Sequence, residues 1–216
     1  MMKSSRGGAS YYLCEYQSRD RETFGVEVCL PENDGLQGLL ASLRSMGRSE
    51  EFSRVASFVV ADFPGNACID DLEAIAQCAN AAGLLNKVCL ICPTSKRSTR
   101  AVISRLQSLG MRALLGGVGG DSRFADLTDY PIDGLVLDRE LVAKAAGDPQ
   151  AACLLEAIAS FAVSLGVTTF ASKCANQSEL DMAASCGVAY QTLSDRPLPP
   201  LERQALRYRR DLPSPA

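Results

Sequence analysis

The chain has 216 residues, 47% of them hydrophobic and 22% charged, which suits one globular domain of the larger sort. A net charge of −3 argues against bulk attraction to nucleic acid or anionic lipid, and no apolar stretch reaches the roughly 18 residues needed to span a bilayer. There is no histidine, which removes Ser-His-Asp and Cys-His catalysis, His-ligated zinc and imidazole proton shuttles.

The first residues, through Gly8, lack an apolar core, so no cleaved leader is expected and residues 1–9 read as a flexible lead-in. Tyr11 to Tyr16 and Phe24 to Leu30 read as two strands joined by a polar turn from Gln17 to Glu22. Asp34 to Met46 reads as a helix with Leu36, Leu39, Leu40 and Leu43 on one face. Ser57 to Ala61 is a buried strand, and Asp70 opens a helix closed by Gly83. The unit recurs: strand Lys87 to Cys92 and helix Ser95 to Leu109, then strand Arg112 to Leu115 running into a glycine-rich turn. Gly134 to Leu137, Val167 to Ala171 and Val188 to Tyr190 are the remaining strands, separated by helices Ala151 to Leu165 and Gln177 to Ser185.

Strand and helix in regular succession imply parallel strands with crossover helices. Seven or eight of them, with no phosphate fingerprint after the first, predict an α/β fold closed as a (β/α) barrel. The barrel domain is expected over residues 10–199, followed by a tail at 200–216.

Nine cysteines, an odd number, point to a reducing, cytoplasmic setting. Cys89 and Cys92 form a C-x-x-C, but on a strand residues three apart face opposite ways, so the pair reads as buried small hydrophobes. The run Leu114-Leu-Gly-Gly-Val-Gly-Gly-Asp121 lacks both the Lys-Ser/Thr ending of a P-loop and dinucleotide spacing, and reads as a loop at the barrel rim.

Five segments in order carry a resemblance. Pro131-Ile-Asp-Gly-Leu-Val-Leu-Asp-Arg139 resembles P-V-D-x-L-K-I-D-R, and the helix from Leu154 ends in Ser-Leu-Gly166 like its counterpart. Phe170-Ala171 heads the place of V-A-E-G-V-E-T, Arg196-Pro-Leu-Pro199 matches a closing R-P-L-P, and Phe24-Gly-Val-Glu-Val-Cys-Leu30 sits where G-x-E-A-L stands. Together they resemble the EAL domain, the bacterial phosphodiesterase module that cleaves cyclic di-GMP. The resemblance implies a modified (β/α) TIM-like barrel, here with a shortened first crossover and a total length below the roughly 250 residues of a typical closed barrel. It also implies Mg²⁺ or Mn²⁺ at the C-terminal strand ends, activating a water against the phosphodiester.

The resemblance further implies what has been lost. Glu27 stands for the signature glutamate, and Asp138 and Arg139 remain. The metal-binding asparagine falls at about Ala61, with Asp62 beside it; the next glutamate falls on Ile91 and the paired aspartates on Gly116 and Gly117. The water-assisting lysine falls on Val136, two further glutamates on Ser172 and Ala175, and the phosphate-gripping arginine on Pro31. One glutamate and scattered aspartates do not make a six-oxygen shell. The expectation is therefore no resident metal or other cofactor, no catalytic residue, and Ile91, Gly116, Val136 and Ser172 lining one mouth with Glu27.

For the remnants a structural role is expected. Asp138 reads as a helix N-cap, and Glu27 as the partner of a nearby cation such as Lys173. Three functions follow: a catalytically inactive regulator acting through a protein partner, a receptor that binds cyclic di-GMP without cleaving it, or an active phosphodiesterase. The contact surfaces expected are the helices flanking the glycine loop, which the family uses for pairing and which admit a homodimer, and the tail. There Leu201, Ala205 and Tyr208 keep near-helical spacing while Arg203, Arg207 and Arg210 fall on another side. Folding back onto the barrel is the tail's other option.

Overall fold

A computed structural model describes residues 11–18, 20, 23–30, 34–49, 56–93, 99–120 and 130–193. Eight strands close into a barrel in chain order: β1 (Tyr12–Ser18), β2 (Thr23–Cys29), β3 (Phe58–Asp62), β4 (Val88–Pro93), β5 (Arg112–Val118), β6 (Gly134–Leu137), β7 (Thr168–Cys174) and β8 (Tyr190–Leu193). The trimmed first crossover does not prevent closure. From β2 to β8 every neighbour is parallel. β1 departs from that rule, running antiparallel to both β2 and β8. Only four residues separate β1 from β2, too few for a crossover, and the two strands pair antiparallel.

Among the described residues the α-helices are α1 (Gly35–Gly47), α2 (Asp71–Ala81), α3 (Thr99–Ser108), α4 (Arg139–Ala145), α5 (Pro149–Leu165) and α6 (Gln177–Ser185). Each buries the stripe its spacing defines: Leu39, Leu43 and Met46 on α1, Leu72, Ile75 and Ala79 on α2, Val102, Ile103 and Leu106 on α3. α5 starts with Pro149 behind an Asp148 cap and stops at Gly166, whose φ of 71° a side chain rarely adopts. α4 is the helix that the sequence reading expects Asp138 to cap, although that reading gives it no length of its own.

Strand alternation divides the core in two. Outward residues such as Val59, Leu90, Leu115 and Leu135 pack with the helices. Inward residues Phe58, Val60, Cys89, Ile91, Leu114, Val136 and Phe170 fill the barrel with Tyr16. Cys89 and Cys92 fall on opposite sides of β4, as the spacing requires. Tyr16, Phe58, Phe170 and Tyr190 form a ring of tilted and edge-to-face pairs with centroids 4.9–5.7 Å apart. Such pairs contribute beyond their burial alone, so this barrel is a packed core from its floor upward.

Candidate functional site at the barrel mouth

Glu27 points inward from β2 and is 1% exposed, which obliges it to find partners. The Tyr16 hydroxyl donates to its Oε2 at 3.2 Å, and the Ser172 hydroxyl lies 2.8 and 2.7 Å from its two oxygens. The Lys173 ammonium stands 3.2 Å from Oε1, so the expected pairing is present. The same ammonium lies 3.3 Å from Oδ2 of Asp62, which is largely in solvent.

Lys173 reaches the mouth against the alternation of its strand. Phe170 faces inward and Ala171 outward, so Ser172 faces inward and Lys173 ought to face the helices. The β7–β8 register shifts between Ala171 and Cys174, and Lys173 adopts φ 58°, the one positive value on a non-glycine among the described residues. A bulge of this kind re-aims a side chain. Two consecutive residues, Ser172 and Lys173, therefore serve one carboxylate. Burial pushes the Glu27 carboxyl up, while Lys173 and Ser172 pull it down. Burial works to lower the Lys173 pKa, but Glu27 and Asp62 outweigh it and hold the ammonium above its usual range. Burial, then Glu27, raises the Tyr16 phenol well above its ordinary value, so it stays a neutral donor.

The opposite wall is apolar. Ile91 on β4 and Val136 on β6 belong to the interior cluster, at 8% and 6% exposure. Gly116 on β5 is buried, and a β-carbon there would sit 2.6 Å from Cγ2 of Ile91. The two positions the resemblance gives to carboxylates are thus packed into each other. Gly117 follows at a register shift with φ 76°, exposed.

One expected placement is corrected. Ala61 packs among the outer residues of β3 and faces the helices, so it is not a mouth position. Alternation from Val60 turns Asp62 inward, and Asp62 meets Lys173. Asp138 follows β6 and caps α4, its Oδ1 accepting from the N–H groups of Glu140 at 2.9 Å and Leu141 at 3.1 Å. Arg139 is exposed on the first turn of that helix. Ala175 donates its N–H to Glu179, a cap of α6 rather than a mouth group. Pro31, residues 1–9, Arg196 to Pro199 and the tail residues Arg203, Arg207, Tyr208 and Arg210 lie outside the described residues.

A divalent ion needs about six oxygens at 2.0–2.6 Å. The mouth carboxylates Glu27 and Asp62 are both engaged by Lys173, and the wall across from them has no oxygen-bearing side chain at 91, 116 or 136. Among the described residues, no group of three or more Asp, Glu, His or Cys could hold a metal ion. The residues present do not fit one.

The sequence model of the EAL domain matches residues 61–192, and the chain belongs to that family. The crystal structure of the EAL domain of Mycobacterium smegmatis DcpA aligns over 98% of this chain and 100% of that one, with TM-score 0.79 and 18% identity. Klebsiella pneumoniae BlrP1, solved as a manganese and cyclic di-GMP complex, aligns over 91% of this chain and 57% of its own, with TM-score 0.75 and 15% identity. A standalone EAL protein of Vibrio cholerae O395, in its cyclic di-GMP-bound form, aligns over 88% and 92%, with TM-score 0.70 and 12% identity. At such identities the likeness is one of fold. No curated protein matches the chain by sequence. No helix among the described residues is long and apolar enough to cross a membrane.

Proposed function

We propose that this EAL-family protein does not hydrolyse cyclic di-GMP and acts as a signalling regulator through contact with a protein partner. The observation that supports it is the composition of the mouth: Ile91 packed into Gly116, Val136 beside them, and the retained Glu27 bound to three donors of its own chain. Phosphodiester hydrolysis in a metal site needs an ion to generate hydroxide and to stabilise the oxyanion. These side chains offer neither that ion's shell nor a base at position 136. A framework kept while its chemistry is replaced by packing is useful as a surface. The barrel at 10–199 would be the scaffold and the segment at 200–216, with Arg203, Arg207, Tyr208 and Arg210, the partner contact. None of the nine cysteines is joined in a disulfide, which suits a cytoplasmic setting.

Incubation with cyclic di-GMP and Mg²⁺ or Mn²⁺ tests the first half, with no linear dinucleotide expected. Turnover that disappears in Glu27→Ala overturns the reading. Calorimetry with the nucleotide separates the receptor alternative: saturable binding without turnover would replace the regulator by a receptor. Deleting residues 200–216 tests the second half, with a partner recovered by the full chain expected to be lost.

A further inference from the structure

We propose that Lys173 is the resident cation of the barrel mouth, supplying from the chain itself the positive charge that Glu27 and Asp62 would otherwise take from a divalent ion. This deepens the reading above and rests on it in one respect, that no divalent ion sits at the mouth; the partner role can fail while this stands.

Three observations converge. First, one ammonium is shared by two carboxylates contributed by β2 and β3, at 3.2 and 3.3 Å, so it occupies the space between them. A second cation placed there would meet the first at close range, with like-charge repulsion added to the loss of its own water. Second, the charges balance in the way burial demands. Glu27, at 1% exposure, gets the neutralising partner, while Asp62, with 65% of its side chain exposed, keeps the remaining negative charge in water. Third, the backbone is bent to place this lysine. A positive φ on a residue with a β-carbon is unfavourable and persists only where the surroundings over-determine it. Here the surroundings are the two carboxylates and the Thr192 hydroxyl, which accepts from the Lys173 N–H at 3.3 Å. Without the bulge the lysine would point at the helices and Glu27 would be left with hydroxyl donors alone.

The test is a double-mutant cycle on the full chain, read as thermal unfolding after stripping with EDTA. The wild-type Tm is expected to be the same in EDTA and in millimolar Mn²⁺ or Mg²⁺. Lys173→Met, which keeps the aliphatic stem, is expected to lower Tm by roughly 5–10 °C, the low end for a broken buried pair because the lysine is about one third exposed. Adding Glu27→Gln is expected to recover at least half of that loss, since a neutral amide needs no countercharge. A wild-type Tm that rises with Mn²⁺ and stops doing so in Glu27→Gln overturns the proposal. So does Lys173→Met as stable as wild type, or a double variant no better than the single. If Lys173→Met does not fold, recovery of folded protein in the double variant supports the proposal and its absence overturns it.

Discussion

Gly116→Ala adds a single methyl group to the mouth, and its cost follows from one distance. The new β-carbon would lie 2.6 Å from Cγ2 of Ile91, against 3.5–4.0 Å for an ordinary carbon contact. About 1 Å must therefore be found. Ile91 is β-branched and stiff at χ1, and it is buried against the rest of the interior cluster, so it has little freedom to turn away. Overpacking of this sort costs about 1–3 kcal/mol. Replacing glycine returns about 0.4–1 kcal/mol by restricting the unfolded chain, which leaves a net loss of between about 0 and 2.6 kcal/mol. For a chain of this size that is a Tm drop of up to roughly 10 °C. Ile91→Leu removes Cγ2 while nearly conserving volume, at a cost of its own below about 1.5 kcal/mol. In that background Gly116→Ala should be neutral or stabilising. The four proteins, followed by calorimetry and by urea titration, give a coupling between the sites of about 1 kcal/mol or more. An equal cost of Gly116→Ala in both backgrounds, or none in either, refutes the mutual packing of the two positions.

Asp138→Ala should cost about 0.5–2 kcal/mol by removing the cap of α4, whereas Asp138→Asn, itself a good cap, should stay close to wild type in urea midpoint; equal losses would mean that the charge, not the cap, matters. Burial pushes the thiols of Cys89, Cys92 and Cys174 up to about 12, while unfolded thiols titrate near about 8.5. The folded values are the higher ones, so their stabilisation is complete below about pH 8.5 and is lost as pH climbs towards 12. Each thiol removes about 1.4 kcal/mol per pH unit in that window. Urea midpoints under reducing conditions should fall steeply from about pH 9, and a midpoint flat to about pH 10 would refute the burial of these groups.

The sequence carried the alternation of strands and helices because each element buries a stripe with its own period: Leu39 and Leu43 on α1, Val60 and Cys89 against Val59 and Leu90 on the strands. It carried Asp138 as a cap because an N-cap is a local matter. It misplaced a mouth position at Ala61 by one residue, and on a strand one residue is a change of side. Lys173 was legible as a partner of Glu27, but not the bulge that aims it, since the period of two sends it outward. Tyr16 gave no signal as a donor, because its hydroxyl acquires a partner only when the hairpin lays β1 beside β2. The fit of Gly116 to Ile91 joins the consecutive strands β4 and β5 and depends on the register in which they pair, which no local pattern in the sequence sets.

The reversed direction of β1 ties the two ends of the described barrel to each other. Its partner β2 is local, but the seam with β8 joins Gln17 to Gln191 and Ser18 to Tyr190. Closing that seam brings together nearly the whole length of the described chain, the most entropically expensive of the described strand pairings. During synthesis the hairpin therefore waits with one side unpaired until the last strand has left the ribosome. Such an exposed edge is a template for pairing with the wrong chain. In the finished protein the same seam is the natural place for the cylinder to unzip, and its amides should exchange with solvent before those of β3 and β4.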